Sequence, residues 1–264
     1  MNALKPRRLL VIGNSHAAAP RMAYAASPES WPDYDVAFLA VRGGNINQLE
    51  LRGTVLHPMD AKTAREMQDF SFVREVDLTT YDALAIVGGF GWVPLAQLFD
   101  GHRCMGFPSV LAGDDDCQLI GRSLMRKTLE IRTERIFSTR LMRKLKPMGK
   151  PIVMMPEPLP SDECGADLKT YEDYSMMVAR GDAGHARRMF QRAARHALRN
   201  DAILPFWPDS VIVDDAYTSA AFMRGAPRLS PGFDVMHGST DFAHGNADYG
   251  ALLLDRIIGA LPQG

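Results

Sequence analysis

Four apolar runs recur along the chain at separations too long for hairpins. They are residues 9–12 (Leu-Leu-Val-Ile), 34–41, 81–87 and 152–155. Each is short and mostly aliphatic, and each stops at a turn-forming group: Gly13-Asn14, Gly43-Gly44-Asn45, Gly88-Gly89-Phe90-Gly91 and Pro156. Such runs predict buried strands. Helical spacing follows at 17–26, where Pro20 interrupts it, and again at 60–70, 119–145, 182–200 and 251–258. Weaker alternation around Leu51, Val55, Leu56, Phe72 and Val76 suits short strands or a hairpin, and 202–207 reads as a fifth strand. Strands that alternate with helices predict a mainly parallel sheet covered on both faces. The expected fold class is therefore α/β, a three-layer α/β/α sandwich of flavodoxin-like type, in a single domain over residues 1–264.

Composition narrows the partners. With 46% hydrophobic and 23% charged residues the chain can bury a full core. Thirty Lys and Arg against 31 Asp and Glu leave a net charge of -1, so neither nucleic acid nor an acidic membrane surface is expected as a partner. Cys104, Cys117 and Cys164 are scattered and odd in number, which predicts neither a disulfide framework nor a CxxC metal site and fits a cytoplasmic location. Lys5-Pro6-Arg7-Arg8 precedes an apolar run too short for a leader or a membrane span. The acidic group Asp114-Asp115-Asp116 reads as a solvated turn capping the basic helix after it, because hard cations need spaced oxygens. In that helix Leu124, Leu129, Ile131, Ile136, Leu141 and Leu145 predict one packed side with the charges facing water. No metal and no cofactor is expected.

The first turn holds the candidate chemistry. Ser15 lies between a buried strand and a helix start, so its hydroxyl stands at the open end of a parallel sheet beside unpaired backbone N–H groups. Such groups stabilise an oxyanion. A serine nucleophile needs a base, and Asp241-Phe242-Ala243-His244 sets a carboxylate three residues before an imidazole. An Asp-x-x-His spacing also joins Asp234 to His237, which leaves His237 as the alternative base. His16, next to the nucleophile, is expected to point elsewhere. Pro156-Glu157-Pro158-Leu159-Pro160 forms a stiff exit from its strand and a wall for a substrate.

Gly13-Asn14-Ser15-His16 near one end and Asp241-x-x-His244 near the other, followed by Asn246, Tyr249 and Gly250, resemble the first and last blocks of the SGNH/GDSL hydrolase superfamily. The resemblance covers about a tenth of the chain and favours His244 over His237. It implies the SGNH hydrolase fold and a catalytic triad of Ser15, Asp241 and His244. It implies an oxyanion hole from the N–H of Ser15 and of a second-block glycine, Gly44 or Gly43. The family's third block, G-x-N-D, has no counterpart, since no Asn or Asp lies between Gly88 and Gln97. The N–H of Gly89 or Phe90, or the Asn45 side chain, is expected to supply that donor. The implied activity is a serine esterase acting on a small-molecule or glycan ester, with acetylated sugars in view. An acyltransferase using the same triad and a non-catalytic carbohydrate- or acyl-binding protein are the alternatives.

Overall fold

The computed structural model describes residues 5–114, 116–231 and 235–262. Its centre is a four-stranded parallel sheet of β1 (Arg7–Gly13), β2 (Tyr34–Ala40), β3 (Ala83–Val87) and β4 (Ile152–Met155), in the order β2-β1-β3-β4. All residues of β3 and β4 are buried. Continuous apolar runs suit strands covered on both faces, and alternate side chains here serve two cores. Leu10, Ile12, Leu84, Ile86, Ile152 and Met154 enter one; Leu9, Val11, Ala85, Val87, Val153 and Met155 enter the other. The chain is thus a mixed α/β structure built on a mostly parallel sheet.

Apart from the single turn Pro108–Leu111, the α-helices among the described residues are α1 (Ala18–Ala26), α2 (Ala61–Ser71), α3 (Val93–Gly101), α4 (Arg122–Arg135), α5 (Phe137–Leu145), α6 (Leu168–Ala179), α7 (Ala183–Leu198) and α8 (Ala247–Ala260). Ala23 of α1 and Tyr249, Leu253, Leu254 and Ile257 of α8 join the second core, while α3 to α7 and Met67 of α2 build the first. No helix among the described residues is long and apolar enough to cross a membrane.

Several elements differ from the sequence expectation for local reasons. Pro20 does not interrupt α1, because it sits in the first turn, where the N–H it lacks has no intrahelical acceptor. The span 119–145 is two helices, broken at Ile136, whose ψ of 154° is extended. Leu124 does not pack; it is 58% exposed. The acidic group does not cap α4, whose N-cap is Gly121. Asp114 instead pairs at 2.6 Å with the guanidinium of Arg103, which is fully buried and also donates to Ser109, and Asp115 lies outside the described residues. The expected strand at 202–207 shrinks to one bridge from Ile203 to Val153, in a segment where Pro205 and Pro208 lack donors and Phe206 has a φ of 60°. Residues 49–58 form the expected hairpin, Leu49–Arg52 with Val55–Pro58, and Val76–Asp77 adds a third short strand.

Register positions the site. Gly13 lies opposite both Ala40 and Val87, and Val87 opposite Met155, so all four central strands end at one level. The loops that leave them share the carboxyl edge of the sheet, where α/β proteins place ligands.

Candidate active site

β1 delivers Ser15. The strand ends at Gly13, where a Cβ would come within 2.8 Å of the Val87 carbonyl oxygen, so only glycine lets β1 and β3 approach this closely. Asn14 then closes the turn: its Oδ1 accepts the His16 N–H at 3.1 Å, and residues 15–17 wind into a 3-10 turn that leads into α1. The Asn14 side chain also fills the place of a Cβ at Gly88, whose φ is +93°. A local cap thereby fastens the first loop to the third. Sequence reasoning passed over Asn14, although an Asn before a helix start is a recognisable capping signal.

The far end of the chain delivers the imidazole. Asp241 Oδ1 accepts the N–H groups of Ala243 and His244, both at 3.0 Å, and folds 241–244 into a tight turn. Asn246 caps α8 through the Tyr249 N–H and donates to the carbonyl oxygens of Ala221 and Arg224, which anchors the turn. His244 Nδ1 lies 3.0 and 2.9 Å from the two Asp241 oxygens, and its Nε2 lies 2.8 Å from Ser15 Oγ. A carboxylate only accepts, so Nδ1 carries the proton and Nε2 presents its lone pair to the serine hydroxyl. Ser15, His244 and Asp241 therefore come together in the order that a nucleophile, a base and an orienting acid require.

Two more histidines sandwich that base. His16 stacks on one face of His244 with ring centroids 4.5 Å apart, and His237 on the other at 4.1 Å. His237 does not reach the nucleophile as a base; its Nδ1 lies 2.6 Å from Asp241 Oδ2, and Asp234, its expected partner, is outside the described residues. Burial, then the His244 charge, lower the His237 pKa against the pull of Asp241. Burial pushes His16 down to about 4, although the nearby Glu157 charge raises it. Both flanking rings are thus neutral near pH 7. For Asp241, burial alone would raise the carboxyl, but hydrogen bonds from the His244 ring and the Ala243 N–H, with the two histidine charges, hold it well below the usual carboxylate range.

His237, Asp241 and His244 also offer three ligand atoms within 4.8 Å of one another. A metal binds imidazole along a lone pair in the plane of the ring. The planes of His237 and His244 differ by only 14° and are stacked, so one ion cannot lie in both. The cluster is shaped for shared hydrogen bonds to a carboxylate.

The expected oxyanion donors fare differently. Ser15 sits at the head of its 3-10 turn, with its N–H directed to no described acceptor. Gly44 is exposed in a 3-10 segment, Gly43–Gln48, at the end of β2. Asn45 does not present a free amide, because its Nδ2 donates to both Glu66 carboxylate oxygens at 2.9 Å. The Gly89 N–H is occupied as well. It donates to Glu157 Oε1 at 2.9 Å, and the same oxygen lies 3.6 Å from His16 Nε2. An amide expected to stand in for the missing third-block Asn is thus already engaged by an acceptor. Sequence reasoning assigned Glu157 to a loop wall and missed this contact, which spans 68 residues and leaves no local signal.

Glu157 borders a hollow of about 290 Å³ lined also by Gly89, Trp92, Pro94, Tyr171 and Ala243, next to the triad. A second hollow, of about 420 Å³, opens behind His237 and Asp241. No family model matches this chain, and no curated protein matches it in sequence.

Proposed function

We propose that this protein is a serine hydrolase of SGNH type that cleaves a small or acetylated-sugar ester through Ser15, His244 and Asp241. The observation that carries the reading is the 2.8 Å approach of His244 Nε2 to Ser15 Oγ, backed by Asp241 on the opposite ring nitrogen. The strand order β2-β1-β3-β4 and the cover on both sheet faces are consistent with the three-layer sandwich of that superfamily.

In this mechanism His244 Nε2 takes the hydroxyl proton as Ser15 Oγ forms a bond to the ester carbonyl carbon. Asp241 holds the ring and stabilises its cation. The oxyanion forms near the Ser15 N–H, the carbon–oxygen bond to the alcohol breaks, and His244 returns the proton to that alcohol. Water, activated by the same imidazole, then releases the acid from Ser15. Burial lowers the pKa of His16 and His237, so the two flanking rings are poor acceptors for the proton that His244 takes. The engaged Gly89 amide favours a second reading, a non-catalytic binding protein on the same frame.

A fluorophosphonate probe separates the two. The hydrolase reading expects covalent labelling at Ser15 that disappears in Ser15→Ala and His244→Ala. A folded parent protein that takes no label and cleaves no p-nitrophenyl ester supports the binder.

A further inference from the structure

Glu157 is a half-buried carboxylate without a cation. Its side chain is 23% exposed, Oε1 accepts the Gly89 N–H at 2.9 Å, and Oε2 lies beside Gly91. Among the described residues no Lys or Arg forms an ion pair with it. The one ion-pair partner within reach among the described residues is His16, which burial keeps neutral down to a pH of about 4. Buried or half-buried charges are ordinarily paired. This one also engages the Gly89 N–H, one of the amides expected to serve as an oxyanion donor, and a negative charge on that amide opposes the charge that an acyl-transfer transition state develops. A substrate that carries its own positive charge beside the scissile carbonyl removes both conflicts.

We infer that the site takes aminoacyl esters, with the substrate's α-ammonium group bound to Glu157 and its side chain seated in the hollow between Trp92, Pro94 and Tyr171. The inference rests on the serine hydrolase reading and, within it, replaces acetylated sugars with aminoacyl esters as the substrate class. The ammonium group lies two bonds from the carbonyl carbon that Ser15 attacks, close enough to pair with a carboxylate held on a neighbouring loop amide. The rest of the hollow is largely apolar and suits an amino-acid side chain. A neutral acyl group such as acetyl would leave Glu157 uncompensated. A sugar hydroxyl would hydrogen-bond to it without cancelling its charge.

The test pairs two probes of nearly equal shape, the p-nitrophenyl esters of alanine and of propionic acid, at a pH where the alanyl amine is protonated. Parent protein is expected to favour the alanyl ester in kcat/KM by tenfold or more. Glu157→Gln is expected to bring the ratio near one by losing alanyl activity and gaining propionyl activity. Glu157→Asp, which keeps the charge, should retain part of the preference. Ser15-dependent turnover with no alanyl preference in the parent, or a preference that survives Glu157→Gln unchanged, overturns the inference and leaves the hydrolase reading standing. Labelling of Ser15 by fluorophosphonate without turnover of either ester also overturns the inference alone. Absence of both labelling and turnover overturns the two together.

Discussion

The two flanks of Ser15 are built to different states of completion. On one side His244 and Asp241 are fully hydrogen-bonded and the His244 ring is stacked between His16 and His237, so the groups that would transfer the proton in the proposed mechanism are already aligned. On the other, the Gly89 amide is already engaged by Glu157. Both flanks use loops that leave the same edge of the sheet, from strands ending at the same register level. The difference therefore lies in charge and hydrogen bonding. In the proposed hydrolase, a ready base beside an occupied amide would leave the second flank for the substrate to rearrange or neutralise, which would make the site selective before it is fast.

The largest effect is expected on the completed flank. In Asp241→Asn the remaining Oδ1 keeps the turn to Ala243 and His244, but the NH2 that replaces Oδ2 faces the Nδ1 atoms of His237 and His244 as a donor and favours the wrong His244 tautomer. Fluorophosphonate labelling of Ser15 should slow on the order of 10²- to 10⁴-fold while the folded far-UV spectrum is kept. A loss below tenfold would mean that the aligned flank does little, and the contrast between the flanks would collapse.

Much of this arrangement was legible in the sequence. The four strands follow from apolar runs that end in glycine or proline, because a strand buried on both faces leaves an unmistakable continuous run. Ser15 and His244 were legible because each is embedded in a short local pattern. The elements misread are those decided by distant contacts. Asp114 answers the buried guanidinium of Arg103 and not the helix next to it, and Asn45 answers Glu66 across the loop. Glu157 meets Gly89 only because β3 and β4 are neighbours in the sheet. No pattern around Leu159 or Phe90 encodes that pairing.

An intermediate effect belongs to His16, the ring shared by both flanks. Its folded pKa of about 4 lies below the ordinary histidine value, so the unfolded chain binds a proton that the folded chain refuses. Stability from this group is complete above about pH 6.5, falls as the pH drops, and levels off below about 4; full loss is about 3 kcal/mol. His237 acts in the same direction from the same upper limit, whereas Asp241, depressed from the carboxylate range, adds its loss only at lower pH. In His16→Phe, which keeps a ring against His244, denaturant melts between pH 4 and 7 should show a flatter stability profile than the parent. An unchanged slope would show that His16 is not held neutral between the flanks.

The smallest effect is expected at the joint between the flanks. Asn14 caps the first turn through the His16 N–H, and its side chain fills the space beside Gly88 on the third loop. Asn14→Ala removes the cap and leaves a small void, a cost of about 1 kcal/mol that thermal melts can resolve. Asn14→Asp keeps the accepting oxygen and should recover most of that stability. It also adds a second carboxylate, beside Gly88 on the third loop, so it should slow hydrolysis of a neutral ester more than Asn14→Ala does. A reversed order, with Asn14→Asp the faster of the two on the neutral ester, would mean that charge beside the third loop does not oppose the reaction. The contrast between the flanks would then be one of shape alone.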